Sequence, residues 1–191
     1  MLHCTIVDPS GQGCQSRFAR IHGAGCATRQ RALRCSTMLS DPVTAAPDCT
    51  SLDLFEGEAR LWPTAFSPEE AAGLFAELRR TIDWRQEAIL MFGRRVLVPR
   101  LVAWHGDPGA SYTYSGTAHQ PLPWTQPLAR IRDRAAELCG AQFNAVLLNL
   151  YRDGRDGMGW HADDELELGR DPVIASVSLG ATRRFCLRHR K

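Results

Sequence analysis

Residues 143–180 read FNAVLLNLYRDGRDGMGWHADDELELGRDPVIASVSLG, with a strand-like run at each end and a polar segment between them. Both runs are rich in branched apolar residues, which favour β-strands. Side chains alternate between the two faces of a strand, so Asn149 and Tyr151 share a face with apolar residues of the first run. That face changes from apolar to polar along its length, as expected where a core strand ends in a ligand pocket. In an alternative interpretation, the two side chains only cap the strand before the RDGRDG turn.

The polar segment contains His161 and Asp163, which share a face if the chain is locally extended. A His-x-Asp pair can supply two ligands of a 2-His-1-carboxylate iron site, which leaves three positions open for a chelating co-substrate and O2. Asp164 and Glu165 follow directly, so the local negative charge is either solvated in a turn or balanced by a metal ion. The pair alone is also consistent with an ordinary polar loop.

Two helices and further strands are predicted upstream of this stretch. Residues 67–70 (SPEE) combine an N-cap serine, a proline at the first helical position and a glutamate three residues after the cap, so a helix begins there. A second helix is predicted through residues 125–140, with Gly140 as its C-terminal stop. Residues 88–104 and 111–116 have a strand-like composition, and so does the downstream segment RRFCLRH (183–189). This order favours the α+β class, with an antiparallel sandwich or barrel backed by helices.

The composition predicts one folded domain with an extension. Residues 1–50 are rich in Gly, Ser, Thr, Cys and Arg without a sustained period and are expected to be disordered, which leaves residues 51–191 as the folded domain. No apolar run approaches the roughly 18–20 residues that a membrane span needs. The seven cysteines form no C-x-x-C pair, which argues against a disulfide framework or a structural zinc site and fits a cytoplasmic location.

The net charge of +2 gives no general support for nucleic-acid binding. A local positive patch is nevertheless present, because Arg94, Arg95 and Arg100 lie in a stretch (88–106) without any acidic residue. Such a patch is suited to contacts with phosphates. Arginines on an exposed sheet edge would give the same pattern.

Several motifs in this order closely resemble the AlkB family of Fe(II)- and 2-oxoglutarate-dependent nucleic-acid demethylases. The resemblance covers roughly residues 52–191 and runs through MFGRRVLVPRLVAWHGD (91–107), SYTYSG (111–116), PWTQPLARIRDRAAELCG (123–140) and the stretch that begins at Phe143. It implies a double-stranded β-helix (jelly-roll) core with N-terminal helices on the sheet. The family's second iron-binding histidine, two arginines that hold 2-oxoglutarate and the closing strands have no match before Lys191, so we expect a C-terminally truncated, weakly active or inactive form.

The resemblance also implies roles for individual residues. His161 and Asp163 match iron ligands, and Asn149 and Tyr151 match the pair that binds 2-oxoglutarate. The residues expected to receive a flipped base are Tyr112, Tyr114, Ser115, Asp164 and Trp104. The residues of the loop expected to probe the nucleic acid are Phe92, Gly93, Arg94 and Arg95, with Phe92 as an apolar wedge. For Trp104, a place in the core is an equally open alternative.

The implied reaction is oxidative demethylation of bases such as N1-methyladenine and N3-methylcytosine in DNA or RNA. O2 and 2-oxoglutarate are consumed, and the methyl group leaves as formaldehyde. We expect a monomer that does not associate with membranes. Two alternatives remain open: a catalytically silent nucleic-acid-binding module that retains the base pocket, and a cupin-like barrel whose metal acts in hydrolysis. The first needs neither iron nor 2-oxoglutarate, and the second gives no role to the Asn-x-Tyr pair.

Overall fold

A computed structural model describes residues 1–8, 17–23, 48–54, 57–91, 93–110, 112–114, 117–163, 168 and 172–189. Across these residues the chain forms eleven strands and two helices. The strands are β1 (Leu2–Asp8), β2 (Arg17–Gly23), β3 (Thr50–Leu54), β4 (Gly57–Phe66), β5 (Ala88–Met91), β6 (Arg94–Leu97), β7 (Leu101–Gly106), β8 (Tyr112–Tyr114), β9 (Thr117–His119), β10 (Ala145–Leu150) and β11 (Val173–Leu179). The helices are α1 (Pro68–Thr81) and α2 (Gln126–Cys139).

Seven of the described strands form one sheet in the order β3-β4-β2-β11-β1-β10-β7. β1 runs antiparallel to both β10 and β11, and β10 runs antiparallel to β7. Only the pairs β11–β2 and β2–β4 in this described sheet are parallel. β5–β6 and β8–β9 form separate two-stranded hairpins. The prediction of mostly antiparallel strands accompanied by two helices is therefore confirmed.

The helices begin and end where the local signals place them. The Ser67 hydroxyl accepts a hydrogen bond from the Glu70 backbone N–H at 3.2 Å, and the Glu70 carboxylate accepts one from the Ser67 N–H at 3.0 Å. This reciprocal capping box satisfies two N–H groups that have no partner inside the helix. At the end of α2, Gly140 adopts the left-handed conformation (φ 65°), as expected of a C-terminal stop.

One face of the large sheet carries the main core. The apolar stripes of both helices pack against alternate residues of β1, β10 and β11, and this face is closed to water. The buried residues that represent these elements are Leu74, Leu78, Leu128, Ile131, Leu2, Cys4, Ile6, Leu148, Ala175 and Val177. The opposite face carries the other half of each alternation, including His3, Asn149, Ser176 and Ser178, all of which are buried. A polar sheet face opposite a sealed apolar face is where a ligand site can form.

Two expectations differ from the structure. Residues 1–50 were expected to be disordered, whereas residues 2–8 and 17–23 are strands of the large sheet. In β1 the reason is a period-two pattern, since Leu2, Cys4 and Ile6 are fully buried against the helices. The segment RRFCLRH (183–189) was expected to be a strand, but it has no regular secondary structure. Neither helix of the described chain is long and apolar enough to cross a bilayer.

Candidate functional site

A pocket of about 810 Å³ opens on the polar face of the sheet, beyond the end of β10. Its walls come from β1, Tyr151, the segment 157–163, β11 and the segment 183–188. His3, Thr5 and Ser176 from the central strands line it together with His161 and Asp163 from the loop. The pocket therefore combines rigid strand residues with the polar segment singled out in the sequence.

His161 and Asp163 are brought together in this pocket. The Nδ1–H of His161 donates to the Gly159 carbonyl oxygen at 3.0 Å, because a carbonyl can only accept. That bond leaves Nε2 facing the Asp163 Oδ1 at 3.4 Å. The hydrogen bond to Asp163 is the largest cause that raises the pKa of His161.

The donor set of these two side chains fits a divalent metal ion. Two neighbouring ligands about 2.1 Å from one ion lie about 3 Å apart in an octahedral shell, close to the observed Nε2–Oδ1 separation. A ligating histidine also commonly donates its other ring N–H to a carbonyl, as His161 does. Among the residues that the structure describes, no third His, Cys, Asp or Glu joins them. The pair therefore supplies two of the donors that a metal ion would need.

Asn149 lies on the sheet face next to this pocket and carries an unsatisfied donor. It is 1% exposed, and its Oδ1 accepts a hydrogen bond from Arg100 Nε at 2.7 Å. Its Nδ2 is buried and has no hydrogen-bond partner among the residues that the structure describes. A buried amide N–H without an acceptor is costly, so this atom is available to a ligand oxygen. The orphaned donor is consistent with the expected role of Asn149 toward a carboxylate.

Arg100 itself differs from the expectation of a surface phosphate contact. It is only 5% exposed, and among the described residues no carboxylate lies within 4.0 Å of its guanidinium group. The positive charge of Arg100 acts to lower the pKa of both His161 and Tyr151, because it disfavours the imidazolium cation and favours the phenolate anion. The polar face of the sheet is thus electropositive near Asn149.

Tyr151 lines the pocket beneath Arg183. The Arg183 guanidinium lies 4.6 Å from the centre of the Tyr151 ring and donates to the backbone oxygens of Asp153 and Asp156. Burial is the largest cause that raises the pKa of Tyr151, so its phenol is protonated and can donate at neutral pH. The segment 183–188 is thereby fixed to the turn that follows β10. Tyr151 is placed as a neutral donor suited to an anionic ligand.

The other predicted site residues lie elsewhere. Trp104 packs against the small apolar cluster of Val7, Ala145, Leu168 and Ile174, and its Nε1–H donates to the Ala110 oxygen at 3.2 Å. It is not among the residues that line the pocket, as expected from the alternative in which Trp104 occupies a place in the core. Tyr112 and Tyr114 are the first and last residues of β8. Phe92, Ser115 and Asp164 lie outside the described residues.

The predicted probing loop is the tip of the β5–β6 hairpin. Met91 pairs with Arg94, and Gly93 has a φ of 74°, a conformation that a tight hairpin turn needs and that glycine adopts easily. Arg94 and Arg95 are exposed, and so are Leu90 (69%) and Leu97 (61%). The hairpin therefore presents both apolar and positive side chains to solvent.

Some pocket residues were not predicted from the sequence. His3 accepts or donates hydrogen bonds with Ser178 at 3.2 Å and Ser176 at 3.1 Å, so β1 and β11 share a polar cluster at the pocket wall. The alternation of Ser176 and Ser178 in the second strand-like run was the available signal. Nothing in the sequence indicated that His3 would contact these serines or that Arg183 would cover Tyr151, because both contacts depend on the tertiary fold.

Comparison with known proteins gives an independent view of the same region. The family model described as the 2OG-Fe(II) oxygenase superfamily matches residues 58–191, which include every pocket residue except Met1, His3 and Thr5.

Curated relatives agree with this match. The mouse protein named DNA oxidative demethylase ALKBH2 is 43% identical over 138 residues, which are 71% of this chain and 58% of the relative. Its human counterpart is 42% identical over 138 residues, 71% of this chain and 53% of the relative. The bovine alpha-ketoglutarate-dependent dioxygenase alkB homolog 3 is 40% identical over 129 residues, 67% of this chain and 44% of the relative. The chain spans about half the length of these relatives.

Proposed function

The chain belongs to the 2OG-Fe(II) oxygenase superfamily, and from that premise we propose that it serves the oxidative dealkylation of N-alkylated bases in DNA or RNA. The proposed lesions are cationic bases such as N1-methyladenine and N3-methylcytosine. The observation that carries the proposal is the meeting of His161 Nε2 and Asp163 Oδ1, 3.4 Å apart, in a pocket that also contains Tyr151. The AlkB-type relatives, whose names include a DNA oxidative demethylase, supply the substrate class.

Each residue near the pocket has a part in this proposal. His161 and Asp163 would hold Fe(II), which supplies the activation of O2 that organic side chains cannot provide. The free Nδ2 of Asn149 and the neutral phenol of Tyr151 would donate to the carboxylates of 2-oxoglutarate. Arg100 adds a positive charge beside them, which favours a dianionic co-substrate. The enclosed pocket holds the reacting groups in position and away from bulk water.

The nucleic-acid part of the proposal concerns residues outside this pocket. A base must leave the duplex before its methylated edge can be reached, and it is then held between aromatic faces. We propose Tyr112, Tyr114, Ser115 and Asp164 for this role, with the carboxylate of Asp164 favouring a cationic base. The exposed leucines and arginines of the β5–β6 hairpin support a contact with the nucleic acid at its tip, where Phe92 would act as the wedge.

The proposal extends to the architecture and state of the protein. Residues 51–191 would form part of a double-stranded β-helix, and the protein would act as a cytoplasmic monomer. Light scattering of the purified chain tests the monomer, since a stable dimer would double the measured mass.

A turnover assay tests the function. The full chain is mixed with Fe(II), 2-oxoglutarate, O2 and an oligonucleotide that carries one N3-methylcytosine, and the repaired base, formaldehyde and succinate are quantified. One methyl group lost releases one formaldehyde and one succinate, with one O2 and one 2-oxoglutarate consumed and one CO2 released. We expect repair that is weak, because the described residues supply two metal donors and not three, that requires both co-substrates and that disappears in His161→Ala. Binding of iron and 2-oxoglutarate without any repair of methylated DNA or RNA would refute the proposal.

A second candidate is a catalytically silent nucleic-acid-binding module. The observation in its favour is that the described residues bring two metal donors together and not three. This candidate requires oligonucleotide binding that is unchanged by iron, by 2-oxoglutarate and by His161→Ala. Titration of the chain with Mn(II) and 2-oxoglutarate separates the two candidates, because only the enzyme needs affinity for both.

A further inference from the structure

An exposed aromatic and basic surface borders the pocket. We call it the basic rim and define it as Trp160, Arg183, Arg184 and Arg188, all of which line the pocket. Trp160 is 60% exposed, although the Arg188 guanidinium lies 4.4 Å from the centre of its ring. Tryptophan and arginine are enriched among the residues that carry most of the binding energy at contact surfaces. The basic rim is therefore a candidate contact surface.

The charge of the rim is available to a partner. Residues 172–191 contain four arginines and one lysine but no acidic residue. Arg183 is used to fix the segment, since it covers Tyr151 and donates to two backbone oxygens. Arg184 and Arg188 are exposed, and within the described part of the chain neither makes an ion pair. The Arg188 guanidinium thus lies over an exposed indole, and the exposed Arg184 lines the same pocket.

We propose that the basic rim binds a single-stranded stretch of nucleic acid. A base stacks on the indole of Trp160, and Arg184 and Arg188 contact phosphates of the same strand. The combination of an aromatic platform with backbone-tracking cations is how proteins hold single strands without reading their sequence. The inference rests on the proposed function, because Trp160 directly precedes His161, a proposed iron ligand, so that a base stacked on Trp160 would lie beside the proposed metal site.

An acidic peptide is the competing partner for a positive surface, and the exposed indole argues against it. Phosphate-binding arginines alone would suit either partner. An indole with 60% of its surface in water adds stacking energy only for a ligand with a flat ring system. The Arg188 guanidinium lies over the same ring, which makes a stack of guanidinium, indole and base geometrically consistent.

Fluorescence anisotropy of a labelled oligothymidylate, without iron or 2-oxoglutarate, tests the proposal. Trp160→Ala should weaken binding by roughly tenfold, within the range expected for one base stack, and Trp160→Phe should recover part of the loss. Arg184→Gln combined with Arg188→Gln should make the slope of log K against log salt less negative by about 1.4, the value for two phosphate contacts on a single strand.

The matched control is Arg80→Gln combined with Arg130→Gln, which removes the same charge from exposed positions on α1 and α2. Equal affinity and salt slope for the rim and control variants would overturn the inference, as would equal competition by polyglutamate. Titration with Mn(II) and 2-oxoglutarate on the same proteins separates the two proposals. If these ligands bind while the rim variants match the control, the rim proposal fails and the proposed function stands. If the rim behaves as expected but neither ligand binds, the proposed function fails and the rim proposal stands.

Discussion

Replacing Asp156 with Asn tests whether the turn after β10 is held by a single buried carboxylate. The side chain of Asp156 is only 7% exposed. Its Oδ2 accepts from the Arg152 backbone N–H at 2.9 Å and from Arg152 Nε at 2.8 Å, and its Oδ1 accepts from Arg152 Nη2 at 2.9 Å. Asparagine keeps the shape but presents an N–H group to one of these donors. The turn that joins Tyr151 to the His161 segment should therefore lose its main internal constraint.

The size of the effect follows from the exposure of the two partners. Arg152 is 44% exposed, so solvent screens its charge. The decrease in the free energy of unfolding therefore stays below the roughly 3–5 kcal/mol typical of breaking a fully buried pair. The buried carboxylate lifts the loss above the 0–1 kcal/mol typical of surface pairs. We expect the free energy of unfolding to fall by about 1–2 kcal/mol at neutral pH.

The pH dependence has a definite sign. Hydrogen bonds from Arg152 are the largest cause that lowers the pKa of Asp156 from its ordinary 3.8 to about 2. The unfolded chain therefore binds this proton first as the pH falls. The stabilisation is complete above about pH 4 and is lost as the pH falls toward about 2. The difference between the wild-type chain and Asp156→Asn should shrink over the same window.

Urea unfolding followed by tryptophan fluorescence, repeated at descending pH, measures both effects. Asp133→Asn is the matched control, because Asp133 is 67% exposed and pairs only with its neighbour Arg132. The control should change the free energy of unfolding by less than about 0.5 kcal/mol. Equal losses for the two variants at neutral pH, or a loss for Asp156→Asn that persists unchanged at the lowest pH, would refute the reasoning.

Four further changes have defined outcomes. Arg100→Met leaves the buried Asn149 oxygen without a donor, so calorimetry should show a loss of about 1–3 kcal/mol, and an unchanged melting temperature would contradict this. His161→Ala should weaken Mn(II) binding at least about tenfold by calorimetric titration while the melting temperature stays the same. Gly73→Ala, with open space at the new Cβ in α1, should stabilise the chain by about 0.5–1 kcal/mol in urea. Gly180→Ala should destabilise it by about 1–2 kcal/mol, because its φ is +81° and its Cβ would lie 3.1 Å from an aromatic ring.

Local signals were sufficient for the helices. The first turn of α1 contains every element of a capping box within four residues, and the structure forms both of its hydrogen bonds. The end of α2 needs a left-handed residue, and Gly140 supplies it. Such signals involve neighbours in sequence, so they can be read without knowing the fold.

β1 shows where composition is a poor guide. Residues 1–50 have the overall composition of a disordered segment, yet residues 2–6 alternate apolar and polar side chains. That short pattern is decisive only because β10 and β11 leave a place between them, where β1 pairs with both. A strand of seven residues gains most of its stability from the strands that pair with it. The sequence alone does not show which strands these are.

The environment of Arg100 in the candidate site likewise depends on strand pairing and could not be predicted from composition. Arginines are mostly exposed, and its stretch lacks acids, so a surface phosphate contact was the reasonable prediction. Pairing of β7 with β10 places Val102 opposite Asn149, which brings Arg100 to the Asn149 side chain and removes it from solvent. A buried guanidinium that has no described carboxylate within reach is costly unless an anion approaches it. The orphaned Nδ2 of Asn149 lies on the same side chain that Arg100 holds. One ligand with anionic oxygens would satisfy both the Arg100 guanidinium and the Asn149 Nδ2, and 2-oxoglutarate has that chemistry.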